Sequence, residues 1–501
     1  RYVHRLAGVS EDGGLVAYLS NARNGVDFDL WLVCRSSGER RLLYASGGYC
    51  VPASGFSPGG RFVSILRLGA RPLDTDLLLV EVATGESRLV LAHPDEAALV
   101  GAPAWVDETQ CFVSSNLGRD FAAVVRYDVE RDEAEDAVVR DGDSEPRTST
   151  DGATLLVVEN RGGESHLELF DSASLRPLGE ILLPEPGVAG FMTRPPLFGA
   201  DALGVFFTLT TPRLPGDVFC HDRTSGMTRR LTVSPAPLQP EELVQAERAE
   251  VTSFDGEAVP LYLYRPRRTE RSATPVVVLV HGGPEAQAML SFNPIVQGLV
   301  GEGLAVVVPN VRGSTGYGKR YASLDDTRKR LDSVRDLAAV HGFLGRAGLD
   351  ASRAVLWGGS YGGYMVLAGL AFQPELWAAG VDLVGISDLV TFLTNTSAYR
   401  RAAREREYGS LEHDRDFLEA ASPLRRAEEI RAPLFVVHGR NDPRVPVSEA
   451  EQLVATLRQR GLRCELVIYD DEGHGLARLA NRLDAYPRAA TFLHEVLAPE
   501  R

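Results

Sequence analysis

Up to about residue 245, apolar residues come in short runs, broken roughly every ten positions by Gly, Asp and Pro. Runs of that kind, bounded by turn residues, predict short β-strands. They also repeat. A turn pair precedes a β-rich run at Asp12-Gly13, Gly59-Gly60, Asp107-Glu108, Asp151-Gly152 and Gly199-Ala200, and the second members are 47, 48, 44 and 48 residues apart. Strands are predicted after these turns at 15–19, 62–66, 111–115, 155–159 and 204–208. A second set follows at 29–33, 76–82, 123–129 and 166–170. A repeat of this length with about four short strands is the period of a β-propeller blade, which buries its faces only against its neighbours. A pair of β-sandwiches is the alternative. Five blade-like repeats fill the first 245 residues.

The stretch 235–250, with Pro235, Pro237, Pro240, Glu241 and Glu242, reads as a polar connector. Beyond it the pattern changes. Continuous apolar strands are predicted at 276–280, 304–308, 354–357, 380–384, 434–437 and 465–469. Helical stretches alternate with them near 294–301, 321–344, 363–372, 447–460 and 481–497. Such strands with crossover helices mean a mostly parallel, doubly wound sheet covered on both faces. The expected division is a propeller over 1–245 and an α/β domain over 246–501.

Composition adds three constraints. With 501 residues, 44% hydrophobic and 24% charged, the chain is globular and long enough for two or three domains. Its longest aliphatic runs fall far short of the ~18 residues of a membrane-spanning helix, so no membrane is expected as a partner. The net charge of −15 is uneven: residues 1–250 carry 23 Lys and Arg against 37 Asp and Glu, whereas 251–501 carry 30 against 31. An acidic front half argues against nucleic acid as a partner and serves solubility. Five scattered cysteines without a CxxC pair favour reduced thiols and a cytoplasmic setting. The chain begins at Arg1, so a signal peptide is left open.

The strongest chemical signal is Gly358-Gly359-Ser360-Tyr361-Gly362-Gly363-Tyr364. It holds G-x-S-x-G between a predicted strand and a predicted helix, where glycines let the chain turn sharply and lift the serine hydroxyl out of the sheet. A serine needs a base and a group that orients the base. Asp442 follows the strand at 434–437 and His474 follows the strand at 465–469, in the order Ser, acid, His. Both lie at the carboxyl ends of strands, where parallel sheets place their sites. For the oxyanion hole the backbone N–H of Tyr361 offers one donor. The N–H of Gly283, in His281-Gly282-Gly283-Pro284, offers the other.

Rival residues read as structural. His281 and His438 fit packing and hydrogen bonding at strand ends. Asp470 and Asp471 fit shaping the His474 loop, and Asp382 and Asp388 are weaker candidates for the acid. Arg312-Gly313-Ser314-Thr315-Gly316-Tyr317-Gly318 lacks the spacing of a phosphate or dinucleotide loop and reads as a tight turn. Arg400, Arg401, Arg404 and Arg406, interleaved with Glu405 and Glu407, read as a solvated helix face, or else as a grip on a peptide carboxylate. No HExxH or paired-Cys zinc pattern occurs, so neither metal nor cofactor is implied.

Together, His281 to Pro284, Asn310 to Gly318, Gly358 to Tyr364 and His438 to Pro446 resemble the prolyl oligopeptidase family of serine peptidases, most closely its acylaminoacyl-peptidase-like branch. The motifs cover roughly 249–501; the front half matches by architecture. The resemblance implies a seven-bladed propeller capping an α/β-hydrolase domain, and hydrolysis of short peptides through an acyl-enzyme. It implies Ser360, Asp442 and His474 as the triad, Gly283 and Tyr361 as oxyanion donors, and Arg444 as a substrate-carbonyl ligand. A salt bridge is the structural alternative for Arg444. The family's dipeptidyl peptidases hold the substrate amine with a Glu pair in the propeller. Here Glu241-Glu242 lies in the connector and Glu428-Glu429 in the second half, which disfavours that activity.

The expected function is therefore a serine peptidase acting on short peptides, with the propeller limiting substrate size. Alternatives are a carboxypeptidase or dipeptidyl peptidase of the same family, a carboxylesterase, and a propeller-based binding module with an inert hydrolase half. Five repeats against the family's seven blades lead us to expect a further N-terminal segment. A homo-oligomer is admitted but not specified.

Overall fold

The computed structural model describes residues 2–190, 195–235, 238–267 and 274–498. Contacts divide the chain into two compact units. One comprises Arg1–Pro235 with Gly316–Arg320 and Ala398–Ala403; the other comprises Ala236–Thr315, Tyr321–Ser397 and Arg404–Arg501.

The first unit is a β-propeller, with five antiparallel sheets among the described residues. The first blade holds His4–Val9, Leu15–Ser20, Asp29–Cys34 and Arg40–Tyr44. The next three repeat the pattern over Cys50–Val90, Ala104–Val138 and Asp143–Ile181. In the fifth, Val188–Ala189 and Leu197–Phe198 both pair with Gly204–Thr211, followed by Leu214–Asp222 and Met227–Arg230. The strands expected after each turn pair are the second of each sheet, and the second set is the third.

Period-two alternation holds the blades together. In Thr75–Glu81, Leu78 and Val80 pack with Leu19 and Leu30 of the first blade, while Leu77 and Leu79 face Cys111 and Val113 of the third. In Thr154–Arg161, Leu155 and Val157 meet Phe112 and Val124, while Leu156 meets Phe207 and Phe219 of the fifth blade. Successive side chains on a strand point to opposite faces, so one strand feeds two cores.

The second unit carries an eight-stranded sheet in the order Glu247–Thr252, Ala258–Tyr264, Ala305–Pro309, Thr274–Val280, Leu349–Gly359, Ala379–Leu383, Leu434–Gly439, Cys464–Tyr469. The last six are mutually parallel, and they are the six predicted strands. The first two are antiparallel additions. They correct the reading of 235–250 as connector throughout: Glu247–Thr252 is an edge strand, and Val244 packs on the sheet's core. Val276, Val278 and Val280 face one helix layer; Val277 and Leu279 face the other.

The expected helix over 321–344 is interrupted. After the short helix Lys319–Ala322 come two single 3₁₀ turns, Ser323–Asp325 and Thr327–Lys329, and only then Arg330–Leu344. Asp326 breaks the run with an extended backbone, φ −58° and ψ 133°. Among the described residues no helix is long and apolar enough to cross a membrane.

Candidate active site

Ser360 stands at the end of the central strand Leu349–Gly359 and caps the helix Tyr361–Phe372, with φ 59° and ψ −117°. A positive φ is rare for a residue with a Cβ and is tolerated only where the surroundings enforce it. Here the neighbours do so. A Cβ on Gly358 would lie 2.2 Å from Gly362 O, and one on Gly362 would lie 2.2 Å from Val280 O. Only glycine at both positions lets strand and helix approach closely enough for the turn to form.

The turn points Ser360 Oγ at His474, 3.0 Å from Nε2. His474 Nδ1 lies 2.7 Å from Asp442 Oδ2. Since the carboxylate accepts, Nδ1 carries the proton and Nε2 is left to accept from the serine hydroxyl. The Asp442 carboxylate is wholly buried, and its other oxygen accepts from the N–H groups of Arg444 (2.8 Å) and Val445 (3.0 Å). These contacts pin the acid, and the acid pins the imidazole.

The loops that carry the acid and the base brace each other. Asn441 N–H donates to Glu472 O at 2.9 Å and Arg440 N–H to Tyr469 O at 3.0 Å. Glu472, 2% exposed, accepts from Ala477 N–H, Arg478 N–H and the Asn481 amide at 2.8–3.0 Å. Burial opposes its charge, yet the bonds from Asn481, Arg478 and Ala477 bring its pKa below the usual value. The sequence reading passed over Glu472, because one acid among three in Asp470-Asp471-Glu472 carries no mark of burial.

The His281-to-Pro284 loop lies against the serine turn. A Cβ on Gly282 would come 3.1 Å from Gly359 O and 3.6 Å from Ser360 Cβ, and Gly283 follows with φ 150°, open chiefly to glycine. Tyr361 is the first residue of its helix, so its N–H lacks an intrahelical partner. Arg444 is exposed beside Asp442, and among the described residues its guanidinium forms no ion pair.

The rivals have other hydrogen-bond partners, although His438 Nε2 also lies 3.7 Å from Asp442 Oδ2. His281 lies between Gly282 O and Ser314 Oγ, both at 2.8 Å, and His438 Nε2 lies 3.0 Å from Val445 O. Burial pulls both imidazoles below their usual pKa. Asp388 caps the helix Leu389–Asn395 and pairs with Arg425 at 2.7 Å. Asp382 is buried against Gly363, its carboxyl pushed up to about 7 by burial. Asp470 pairs with Arg440, and Asp471 with Arg478 at 3.1 Å. The glycine loop at 312–318 is anchored by buried Arg312, which pairs with Asp255 (2.7 Å) and Asp336 (2.8 Å). The arginine run lies on the helix Ala398–Tyr408, half-buried rather than fully solvated.

Fold and site together define an α/β-hydrolase-fold protein with a Ser–His–Asp relay at the carboxyl edge of its sheet and a β-propeller ahead of it. Residues 290–500 match the model of the prolyl oligopeptidase family. Over this stretch the chain is similar to that family. It is 33% identical over 276 residues to dipeptidyl aminopeptidase BIII of Pseudoxanthomonas mexicana, a match covering 52% of this chain and 40% of that protein. It is 26% identical over 256 residues to the acylamino-acid-releasing enzyme of Rattus norvegicus, covering 50% and 35%. The matched region thus spans less than half of either relative's length. A Mycobacterium tuberculosis puromycin-hydrolyzing peptidase superposes with a TM-score of 0.88 at 23% identity, covering 100% of this chain and 80% of that one. At that identity the likeness speaks for the fold.

Proposed function

We propose that the protein is a serine peptidase that cleaves short peptides through an acyl-enzyme. The observation that carries the reading is the Ser360–His474–Asp442 relay, at 3.0 and 2.7 Å, on a serine held at positive φ. In this mechanism Ser360 Oγ attacks the scissile carbonyl while His474 Nε2 takes its proton. Asp442 keeps the imidazole in the tautomer that can accept it and stabilises the imidazolium. The N–H groups of Gly283 and Tyr361 donate to the oxyanion, and Arg444 meets a substrate carbonyl from the exposed rim. His474 then protonates the leaving amine, and water releases the acyl group by the same steps in reverse. The five free cysteines support a reducing, cytoplasmic setting. Selection for small substrates by the propeller half belongs to the same proposal.

Ser360→Ala tests the nucleophile. It should lower turnover on the order of 10⁴-fold while leaving the fold intact. Retained activity would remove Ser360 from the mechanism. A peptide library with free and acylated N-termini, read by mass spectrometry beside simple esters, separates the modes of action. The identity to a dipeptidyl aminopeptidase favours a second reading, release of dipeptides from free N-termini. Cleavage confined to substrates with a free N-terminal amine would select that reading, cleavage of acylated ones the first, and cleavage of esters alone an esterase.

A further inference from the structure

Below the serine turn lies a charged cluster that the relay does not use. Tyr361, next to Ser360, is 1% exposed, and its hydroxyl lies 3.0 Å from Asp325 Oδ2 and 2.9 Å from Ser333 Oγ. Arg330 heads the fully buried side chains by size. Its guanidinium is 5.2 Å from the Tyr361 ring centroid and 4.9 Å from that of Tyr408. It forms ion pairs with Asp325 and Glu407 and donates to Glu407 O at 3.0 Å. Asp326 completes a group of carboxylates whose oxygens lie within 4.8 Å of one another. The Tyr364 ring stacks on Tyr361 at 6.0 Å, and its hydroxyl donates to Ala421 O at 3.0 Å.

A buried arginine held between two carboxylates and two rings is an expensive way to fill space. Removing such charges from water costs several kcal/mol each, and apolar packing of the same volume is often as stable. What the cluster does provide is geometry. The planar guanidinium fixes two carboxylates at once, and one of these takes the Tyr361 hydroxyl. The Tyr361 ring is thereby tied at its far end, while its backbone begins the helix behind Ser360.

We infer that Arg330, Asp325 and Glu407 form a positioning unit for the proposed reaction: through the Tyr361 ring they hold the Tyr361 N–H in line with the oxyanion. This deepens the peptidase reading and rests on it. Oxyanion donors act only when preorganised, and loss of one costs on the order of 10²–10³ in rate, so a donor that wanders loses part of that factor.

The test uses a fluorophosphonate, in which the serine oxygen displaces fluoride from phosphorus through a five-coordinate state with charge on the phosphoryl oxygen, and phenylboronic acid, which forms a tetrahedral adduct at rest. Tyr361→Phe removes only the hydroxyl. It should slow the fluorophosphonate step about 10-fold with initial binding unchanged, and weaken phenylboronic acid in step. The triple variant Arg330→Met, Asp325→Asn, Glu407→Gln removes both ion pairs together and should show the same split, more strongly. A purely structural cluster would change thermal stability alone. Full-length variants that melt cooperatively but keep wild-type reaction rates and boronate affinity overturn the inference, as does a loss confined to initial binding. If Arg330→Met alone fails to fold, Tyr361→Phe and the triple variant decide. Ser360→Ala run in parallel separates the two levels. If it still reacts at the wild-type rate, the peptidase reading fails and takes the inference with it; if it is inert while Tyr361→Phe behaves as wild type, the inference alone fails.

Discussion

Asp442 meets three donors with two oxygens, and its side chain has no contact with water. That arrangement makes a specific demand on the residue. An amide at the same position keeps the shape, but one end now donates, and the imidazole is driven to the tautomer that cannot take the serine proton. Asp442→Asn should therefore lower kcat about 10⁴-fold with little change in KM or thermal stability. Steady-state kinetics beside a melting curve checks it; a loss below tenfold would mean that the carboxylate does not set the tautomer. Ser360, Asp442 and His474 were legible because each lies within a few residues of a strand end or a glycine turn. Glu472 and Arg330 were not, since nothing local distinguishes a buried Glu or Arg from the many exposed ones around it.

At the scale of elements, what the pattern revealed depended on which strands are buried. The second and third strands of each blade are apolar, because each feeds the cores on both sides. The fourth strand of the third blade, Glu133–Val138, is exposed over its first four residues and spells Glu-Ala-Glu-Asp, with no period-two signal to find. Asp143–Thr148 was missed for the same reason, since it pairs through its backbone while its side chains are Asp, Ser, Glu, Pro, Arg and Thr. The alternation makes a further prediction. Leu155 and Leu156 are neighbours in one strand, yet they serve different inter-blade cores. Leu155→Ala and Leu156→Ala should each cost about 2–5 kcal/mol. Because they share no core, denaturant unfolding of the double variant should show a loss close to the sum. A marked shortfall from additivity would mean that the two cores yield as one.

For the molecule as a whole, the buried carboxylates give stability a pH dependence. Burial first, then the charges of Glu407 and Asp325, push Asp326 up to about 8, against the opposing pull of Arg330; Glu285 adds to the rise. An acid whose pKa is higher folded than unfolded binds its proton more tightly in the native state. Its contribution is complete below the unfolded value of 3.8 and is lost as pH rises through about 8. Asp325, pushed up to about 7, acts in the same direction. Asp326→Asn should thus raise the melting temperature at pH ~8.5 and leave it nearly unchanged at pH ~4. Equal shifts at both pH values would assign the effect to packing instead.

The acidity of the first half and the near neutrality of the second are properties of composition, visible without any fold. So are the blade period, the six parallel strands and the order of serine, acid and histidine. These follow from short-range rules: alternation along a strand, glycine at a sharp turn, chemistry at a strand's carboxyl end. Tertiary structure decided the rest. It broke the helix expected over 321–344, added two antiparallel strands to the sheet edge, and joined Asp325, Arg330 and Glu407 beneath Tyr361 across some 80 residues of chain. Which charges are buried together is a property of packing in three dimensions, and a buried arginine looks like any other until its partners close around it.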